Sequence, residues 1–258
     1  MTLETLPKPV LFAHRGAKAH APENTLSSFR LAVEHGADAI ELDVKLTADG
    51  EVVVLHDATL DRTTNGHGLL KDHSFAQVRA LDAGSWFSAD FAGEKVPTLA
   101  EVFEAVGQQL FINIELTNYT TPRDALVEKV VDLVRQYHME ESVLFSSFLS
   151  LNILKVRRWM PDVPAGLLAD AGWAGFLARS PFGRRIAPAI LHPYVADTTT
   201  ELITAQHRLG RRVHVWTVND PEDMRRLFRD GVDGIFTDDP RLARQILTEQ
   251  DGAAAAAG

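Results

Sequence analysis

Two acidic residues, Glu41 and Asp43, alternate with apolar residues in segment 39–44, and Glu115 takes the same kind of position in segment 111–116. Successive side chains of a β-strand point to opposite faces, so the acids of each segment share one face. Carboxylates that point together into a protein interior repel one another and lose hydration, so they need a cation or shared protons. Because these three side chains offer hard oxygen donors, we expect them to bind one divalent cation, Mg²⁺ or Ca²⁺, rather than zinc or copper.

Residues suited to phosphate chemistry follow the first apolar segment. Arg15 offers a planar fork that matches a phosphate, and Gly16 lets the backbone approach a bound anion closely. A helix predicted to begin near Asn24 would point its N-terminus toward the same place. His14 and His56 could supply a proton acceptor and a proton donor near neutral pH. A metal, an arginine and a histidine pair are typical of phosphodiester cleavage by acid–base catalysis, and not of hydride transfer or Schiff-base chemistry.

The elements that must position these residues alternate between strand and helix. Strands are predicted at Val10–His14, Ala39–Val44, Leu110–Leu116, Ser142–Ser146, Ala165–Leu168, Ala189–His192, Arg212–Val218 and Gly234–Asp238. Helices are predicted at Thr25–His35, Leu99–Val106, Arg123–His138, Ser150–Trp159, Thr199–Leu209 and Pro221–Asp230. Eight such strands in 258 residues favour an α/β fold of the (β/α)8 TIM-barrel type over an open doubly wound sheet. The active site of such a barrel lies at the carboxyl ends of its strands, where the candidate residues fall.

One strand does not fit the alternation. Segment Glu51–His56 follows Asp43 too closely for a parallel crossover, and Asp49-Gly50 is a strong hairpin turn. We therefore expect an antiparallel extension that returns His56 to the carboxylate end. The polar segment 57–97 is then a small capping insertion after the second strand.

The rest of the chain completes a single predicted domain, residues 8–248. The segment Ala171–Pro188 mixes aromatic and arginine residues, which fits either a lid over the substrate or a long surface loop. The alanine-rich end, residues 249–258, is predicted to be a disordered tail.

Composition excludes several classes of function. A net charge of −9 argues against nucleic acid as a partner, and the lack of cysteine excludes disulfides and thiolate chemistry. The first residues lack the features of a secretory signal, and no apolar stretch is long enough to span a bilayer. A cytoplasmic protein without integral membrane association is the default expectation, and the oligomeric state stays open.

Several polar residues at strand ends have more ordinary interpretations. Asp238 is expected to cap a helix or brace a loop. The remaining histidines, namely His20, His67, His73 and His192, are expected to be structural or at the surface.

A series of short motifs resembles those of glycerophosphodiester phosphodiesterases, a family related to phosphoinositide-specific phospholipases C. In chain order they are His14-Arg15-Gly16, Pro22-Glu23-Asn24-Thr25, the segment from Gly36 to Val44, Thr47-Ala48-Asp49-Gly50, Val53-Val54-Leu55-His56-Asp57, the segment from Leu60 to Gly66, Val96-Pro97-Thr98-Leu99, Asn113-Ile114-Glu115, and the segment from Gly231 to Asp238. The resemblance covers the chain from about Val10 to Pro240 and implies a TIM barrel with a small insertion.

The resemblance also implies residue roles. It makes Glu41, Asp43 and Glu115 the ligands of one divalent cation, His14 and His56 the general acid–base pair, and Arg15 a phosphate ligand. Trp216 resembles the aromatic residue that lines the glycerol side. One departure stands out, because the family often has a lysine two residues after the acid of the Asn-Ile-Glu motif, where this chain has Thr117.

The implied reaction is metal-dependent hydrolysis of small glycerophosphodiesters, such as glycerophosphocholine or glycerophosphoethanolamine, to sn-glycerol 3-phosphate and an alcohol. Two routes stay open: attack by the glycerol 2-hydroxyl through a cyclic phosphate, or direct attack by water. The alternative function is a lysophospholipase D-like activity on lysophospholipids. It would require an apolar groove, for which the candidate residues are Trp86, Phe87, Phe91, Trp173 and Phe176.

Overall fold

In a computed structural model, which describes residues 1–257 and the side chains of residues 1–252, eight parallel strands close into a barrel. The described residues form nine strands, of which all but the antiparallel β3 belong to the barrel: β1 (Val10–His14), β2 (Ala39–Leu46), β3 (Val52–Val54), β4 (Phe111–Leu116), β5 (Val143–Ser147), β6 (Ala165–Ala169), β7 (Ile190–Pro193), β8 (Arg212–Val215) and β9 (Gly234–Thr237). Their order is β1-β9-β8-β7-β6-β5-β4-β2, and pairing of β2 with β1 closes the barrel. The predicted (β/α)8 TIM barrel is confirmed.

Helices surround the barrel and cover its outer face. They are α1 (Leu26–Glu34), α2 (Phe75–Ala80), α3 (Leu99–Val106), α4 (Leu126–Gln136), α5 (Ser150–Trp159), α6 (Phe176–Arg179), α7 (Pro181–Ile186), α8 (Thr200–Arg208), α9 (Pro221–Arg229) and α10 (Pro240–Ala257). The apolar face of β2, formed by Ile40, Leu42 and Val44, is fully buried in the core between barrel and helices. Because that face packs against the helices, the acids of the same strand, which lie on its other face, point into the barrel interior.

The strand that breaks the alternation is antiparallel, as predicted. Val54 pairs with Val44, and the turn before it includes Gly50 at a φ of 82°. A backbone hydrogen bond of 2.9 Å from the amide of Leu55 to the carbonyl of Asp43 continues the pairing. His56 therefore returns to the carboxyl end of β2.

Two segments differ from what the sequence predicted. Segment Ala171–Pro188 is a pair of short helices, α6 and α7, and the start of α7 is capped by Ser180 with Pro181 in the first turn. The tail predicted to be disordered is helical as far as Ala257, because α10 continues through it and alanine has the highest intrinsic helix propensity. Gly258 lies outside the described residues.

Within the part of the chain that the structure describes, no helix combines the length and the apolar character needed to cross a membrane.

Candidate active site

Three neighbouring strands bring the predicted metal ligands and one histidine together. His14 at the end of β1 is in register with Glu41 of β2, and Asp43 is in register with Glu115 of β4. Because parallel strands share the direction of their carboxyl ends, these four side chains meet at one mouth of the barrel.

The three acids form a compact cluster that suits a cation. One oxygen from each of Glu41, Asp43 and Glu115 lies within 4.8 Å of the others. Burial and the charges of the other two acids raise the pKa of Glu41 well above its ordinary value. Burial, and to a lesser extent the charge of Asp43, raises the pKa of Glu115 to about 7. Burial alone would raise the pKa of Asp43 as well, but the Arg15 guanidinium, the Asn24 hydrogen bond and other neighbouring groups together outweigh burial and lower that pKa. Buried Oε1 of Glu41 has no hydrogen-bond partner among the described residues, so the donor set fits a hard divalent cation.

Arg15 is fixed by the acids around it. Its backbone has a positive φ of 56°, and its amide donates a 2.9 Å hydrogen bond to Oε2 of Glu41. Its Nη1 donates to Oε1 of Glu23 at 2.9 Å, and its Nε lies 3.3 Å from Oδ2 of Asp43. Gly16 follows at a φ of 84°, where a Cβ atom would lie 2.3 Å from Oγ of Ser28. Only glycine fits that position, so the turn that presents the arginine depends on it.

His14 is oriented by the carboxylate of Asp238, the residue that directly follows β9. Its Nδ1 lies 2.7 Å from Oδ1 of Asp238, and its Nε2 lies 4.0 Å from Oε2 of Glu41. Burial would raise the pKa of Asp238, but the hydrogen bond to His14 and its charge, together with Lys18 and Asn219, lower that pKa to about 2. Burial lowers the pKa of His14, and the hydrogen bond to Asp238 opposes that effect. An ionised carboxylate at Nδ1 keeps a proton on that atom and leaves Nε2 of a neutral ring as an acceptor.

A chain of ion pairs ties the second histidine to Arg15. Nδ1 of His56 lies 2.6 Å from Oδ1 of Asp57, and Nε of Arg62 donates to Oδ2 of the same aspartate at 2.7 Å. Arg62 also donates to both carboxylate oxygens of Glu23, each at 2.8 Å, and Glu23 in turn holds Arg15. Asp57 and Arg62 of the insertion thus give His56 a carboxylate partner and connect it through Glu23 to Arg15.

These residues line a cavity of about 120 Å³ at the barrel mouth. The lining comprises His14, Arg15, Glu41, His56, Asn113, Glu115, Phe148, Leu168, Trp216, Thr217 and Phe236. Trp216 is held by a 2.8 Å hydrogen bond from its Nε1 to the carbonyl of His192 and packs edge-on against Phe148. The structure therefore brings the predicted residues to one place, with Asp43 buried directly behind Arg15.

Position 117, where the resembling family often has a lysine, is a threonine in this chain. Thr117 donates its hydroxyl to the carbonyl of Val44 and does not line the cavity, so it is not available to a phosphate. Nζ of Lys45 lies 2.7 Å from both Oγ1 and the carbonyl oxygen of Thr117. Burial lowers the pKa of Lys45, and the charges of Asp43 and Glu115 oppose that effect. Lys45 of β2 therefore places its ammonium beside Thr117, near enough to Asp43 and Glu115 for their charges to act on it, although Lys45 does not line the cavity either.

The residues that hold the others in place were not predicted from the sequence. Asp57, Arg62, Glu23 and Asp238 are the partners described above, and Tyr119 donates a 2.6 Å hydrogen bond to Oε1 of Glu115. Asp57 had a local signal, because it directly follows His56. For Tyr119 no spacing pattern in the sequence indicates a role.

The other histidines lie away from the cavity. His67 pairs with Asp61 and His20 with Asp239, at 3.2 and 2.9 Å, while Nδ1 of His73 contacts the carbonyl of Leu69 at 2.9 Å. His192 is fully buried within the barrel against the rings of His214 and Phe236.

The apolar groove predicted for a lysophospholipid is not formed by the expected residues. Trp86, Phe87 and Phe91 pack edge-on against one another in the insertion. Neither these three nor Trp173 and Phe176 line the cavity.

Comparison with known proteins identifies relatives along almost the whole chain. Residues 14–242 match the model of the glycerophosphoryl diester phosphodiesterase family. A glycerophosphodiester phosphodiesterase of Caldanaerobacter subterraneus subsp. tengcongensis is 42% identical over 241 residues, which cover 93% of this chain and 98% of that protein. A phosphodiesterase of Oleispira antarctica, solved in complex with the product sn-glycerol-3-phosphate, superposes with a TM-score of 0.86 at 29% identity and covers 96% of this chain and 100% of that one. A structure described as a putative glycerophosphoryl diester phosphodiesterase of Silicibacter pomeroyi gives a TM-score of 0.82 at 30% identity, with 95% of each chain covered. The chain therefore belongs to the glycerophosphoryl diester phosphodiesterase family.

Proposed function

We propose that the protein hydrolyses small glycerophosphodiesters, such as glycerophosphocholine and glycerophosphoethanolamine, to sn-glycerol 3-phosphate and an alcohol, and that it requires one divalent cation. The observation that carries the proposal is the pairing of two histidines with carboxylates, His14 with Asp238 and His56 with Asp57. Both histidines line one cavity with Glu41 and Glu115 of the acid cluster. The relative solved with sn-glycerol-3-phosphate supports the product.

The acid cluster would hold the cation. Glu41, Asp43 and Glu115 are its ligands in this proposal, and Mg²⁺ and Ca²⁺ both suit the oxygen donors. When bound, such a cation supplies positive charge that polarises a phosphoryl oxygen.

Phosphate binding is assigned to Arg15, whose side chain lies on the cavity wall between Glu23 and Asp43. Because those acids and the left-handed turn fix the guanidinium before substrate arrives, little conformational entropy is lost when it binds phosphate oxygens. Trp216 and Phe148 would contact the carbon skeleton of the glycerol.

His14 and His56 would transfer the protons. The carboxylate at Nδ1 of each ring favours the same tautomer, with Nε2 free to accept a proton in the neutral ring and to donate one in the protonated ring. We assign the base to His14, which activates the attacking hydroxyl, and the acid to His56, which protonates the departing alcohol. The attacking hydroxyl belongs either to the glycerol or to water.

Phosphorus NMR of a glycerophosphocholine digest tests which bond is broken. The proposal predicts sn-glycerol 3-phosphate with free choline. Phosphocholine with free glycerol would contradict it, since that pair requires cleavage on the other side of the phosphorus. A transient cyclic glycerophosphate would identify the glycerol 2-hydroxyl as the nucleophile.

A further inference from the structure

A second group of potential metal ligands lies outside the catalytic cavity. It consists of His20, His35 and Asp239, and one ligand atom from each side chain lies within 4.8 Å of the others. We call this group the outer cluster. None of its side chains lines the cavity at the barrel mouth. Its donors are two imidazoles and one carboxylate, whereas the acid cluster offers three carboxylates, so the two clusters suit different metals.

Three separate parts of the chain form the outer cluster, and hydrogen bonds to the backbone hold these parts together. His20 lies in the turn after β1, where the amide of the preceding residue donates a 3.0 Å hydrogen bond to the carbonyl of the residue before Asp239. His35 is the C-cap of α1, and the carbonyl of the next residue, Gly36, accepts hydrogen bonds of 3.0 and 2.9 Å from Arg244 of α10. The fold therefore fixes the backbone positions of all three ligands relative to one another.

Two imidazole nitrogens of the outer cluster are buried without a hydrogen bond. Among the described residues, neither Nδ1 of His35 nor Nε2 of His20 has a hydrogen-bond partner. Nε2 of His20 lies 2.9 Å from Oδ2 of Asp239, but this contact lacks the geometry of a hydrogen bond. Buried polar atoms in proteins are nearly always paired, and a bound ion is one of the recognised reasons for an exception. A metal ion held between the three side chains would give both nitrogens a partner.

The carboxylate of Asp239 has one oxygen available for a metal. Its Oδ1 accepts a 3.0 Å hydrogen bond from the amide of Leu242 in the first turn of α10, while Oδ2 faces His20. Burial would raise the pKa of Asp239, but the hydrogen bond from Leu242, together with His20 and Arg241, lowers that pKa. Burial and the charges of His20 and Arg241 lower the pKa of His35. At neutral pH the cluster therefore presents an ionised carboxylate and a neutral His35, which are the forms that bind a metal.

We propose that the outer cluster binds one Zn²⁺ ion through His20, His35 and Asp239, separately from the cation of the acid cluster. Imidazole nitrogens with a carboxylate oxygen are typical zinc ligands, whereas Mg²⁺ and Ca²⁺ prefer oxygen donors alone. Three protein ligands leave the fourth tetrahedral position to water. The ion would connect the turn after β1, the end of α1 and the start of α10, so it should stabilise the folded protein. The proposal does not depend on the proposed function, because its test measures zinc binding.

Calorimetric titration with ZnCl₂ in excess Mg²⁺ tests the proposal, and one zinc ion should bind per chain. Loss of even an indirect partner of a metal ligand costs about 10- to 100-fold in affinity, so His20→Gln and His35→Gln should each weaken zinc binding by at least about tenfold. His67→Gln is the matched control, because His67 also faces a carboxylate, at 3.2 Å, but belongs to no group of three potential ligands among the described residues. No zinc binding by the folded wild type, or unchanged affinity in both cluster variants, would overturn the proposal.

X-ray absorption at the zinc edge identifies the ligands without any variant. With one equivalent of zinc in excess Mg²⁺, the wild type should show the scattering of two imidazole rings around the metal. Ligation by oxygen alone would place the zinc in the acid cluster and overturn the proposal. Thermal unfolding gives a further check, since zinc should raise the unfolding temperature of the wild type and of His67→Gln, but not that of His20→Gln or His35→Gln. An equal rise in all four proteins would also contradict the assignment of these ligands.

Discussion

The imidazole of His14 and the carboxylate of Asp238 lie 2.7 Å apart, although 224 positions separate them in the sequence. His14 ends the first strand of the barrel and Asp238 directly follows the last, and these two strands are hydrogen-bonded neighbours. Closure of the barrel is therefore what gives this histidine its orienting carboxylate. We expect Asp238→Asn to lower kcat by about 10²-fold, because the amide no longer enforces the tautomer with a free Nε2.

A similar pair at the surface provides the control. Asp61 contacts His67 at 3.2 Å, and both side chains are largely exposed and away from the cavity. Asp61→Asn should leave kcat unchanged. Equal effects of the two substitutions, with both proteins folded by circular dichroism, would argue against an orienting role for Asp238.

A change of leaving group tests which histidine is the general acid and which is the general base. A glycerophosphodiester of p-nitrophenol releases an alcohol that needs no protonation. We therefore expect His56→Ala to lose about 10²- to 10⁴-fold in kcat on glycerophosphocholine but far less on the nitrophenyl ester. His14→Ala should lose similar activity on both substrates. The reverse pattern would exchange the two roles.

Removal of one acid should change stability and metal binding in opposite directions. In EDTA, Glu41→Gln should unfold at a higher temperature than the wild type, because it relieves repulsion among three buried carboxylates. At a metal concentration 100 times Kd, the free energy of unfolding of the wild type should rise by about 2.7 kcal/mol. The Glu41→Gln variant should lose most of this increase. Glu128→Gln, on the exposed face of α4, is the control. Differential scanning calorimetry with Mg²⁺ and with Ca²⁺ measures both effects, and an unchanged metal response in the Glu41 variant would argue against this ligand.

Lys45 should matter to activity through its charge. Lys45→Gln is expected to lower kcat/KM by about tenfold, which corresponds to about 1.4 kcal/mol of transition-state stabilisation. Lys45→Gln combined with Thr117→Lys should recover most of the loss, since it returns an ammonium group to the end of β4. Steady-state kinetics with Lys129→Gln as an exposed control measures both effects. No loss in Lys45→Gln would show that this cation does not serve the reaction.

Two buried histidines should make the fold sensitive to acid. Burial, together with the charge of Arg211, lowers the pKa of His192 to about 3, and burial with the neighbouring His192 ring lowers the pKa of His214. Both rings stay neutral in the folded protein, whereas they take up protons in the unfolded chain below about pH 6.5. The free energy of unfolding should therefore fall by about 1.4 kcal/mol per pH unit for each histidine below that pH.

Urea unfolding between pH 5 and 7.5 checks this slope. His192→Leu should reduce it by about one proton per molecule, and His67→Leu, at an exposed position, should not change it. An identical slope in wild type and His192→Leu would show that His192 does not contribute to the acid sensitivity.

The features that could be predicted from the sequence are those set by residues close together in the chain. The alternation of acids and apolar residues in β2 and β4 follows from the two-residue period of a strand, and the hairpin at Asp49-Gly50 follows from turn chemistry. Those patterns were enough to predict the barrel and to bring Glu41, Asp43 and Glu115 to one mouth.

The partners of the site residues could not be predicted in this way. Arg62 reaches Glu23 across the mouth from the insertion, and Lys45 reaches Thr117 from the adjacent strand. Such contacts depend on the tertiary arrangement and on side-chain reach, which no spacing in one sequence encodes. The helical tail was missed for another reason, since alanine-rich composition fits both a frayed end and a continued helix.

The central claim is that the histidine pair and the acid cluster act together on a glycerophosphodiester. The most direct measurement is release of sn-glycerol 3-phosphate from glycerophosphocholine by wild type, His14→Ala, His56→Ala and His67→Ala, each in Mg²⁺, in Ca²⁺ and in EDTA. The account predicts release by wild type and His67→Ala in at least one of the two cations, loss in EDTA, and loss in the other two variants. Release that persists in EDTA or in His14→Ala, or no release by folded wild type with either cation, would contradict it.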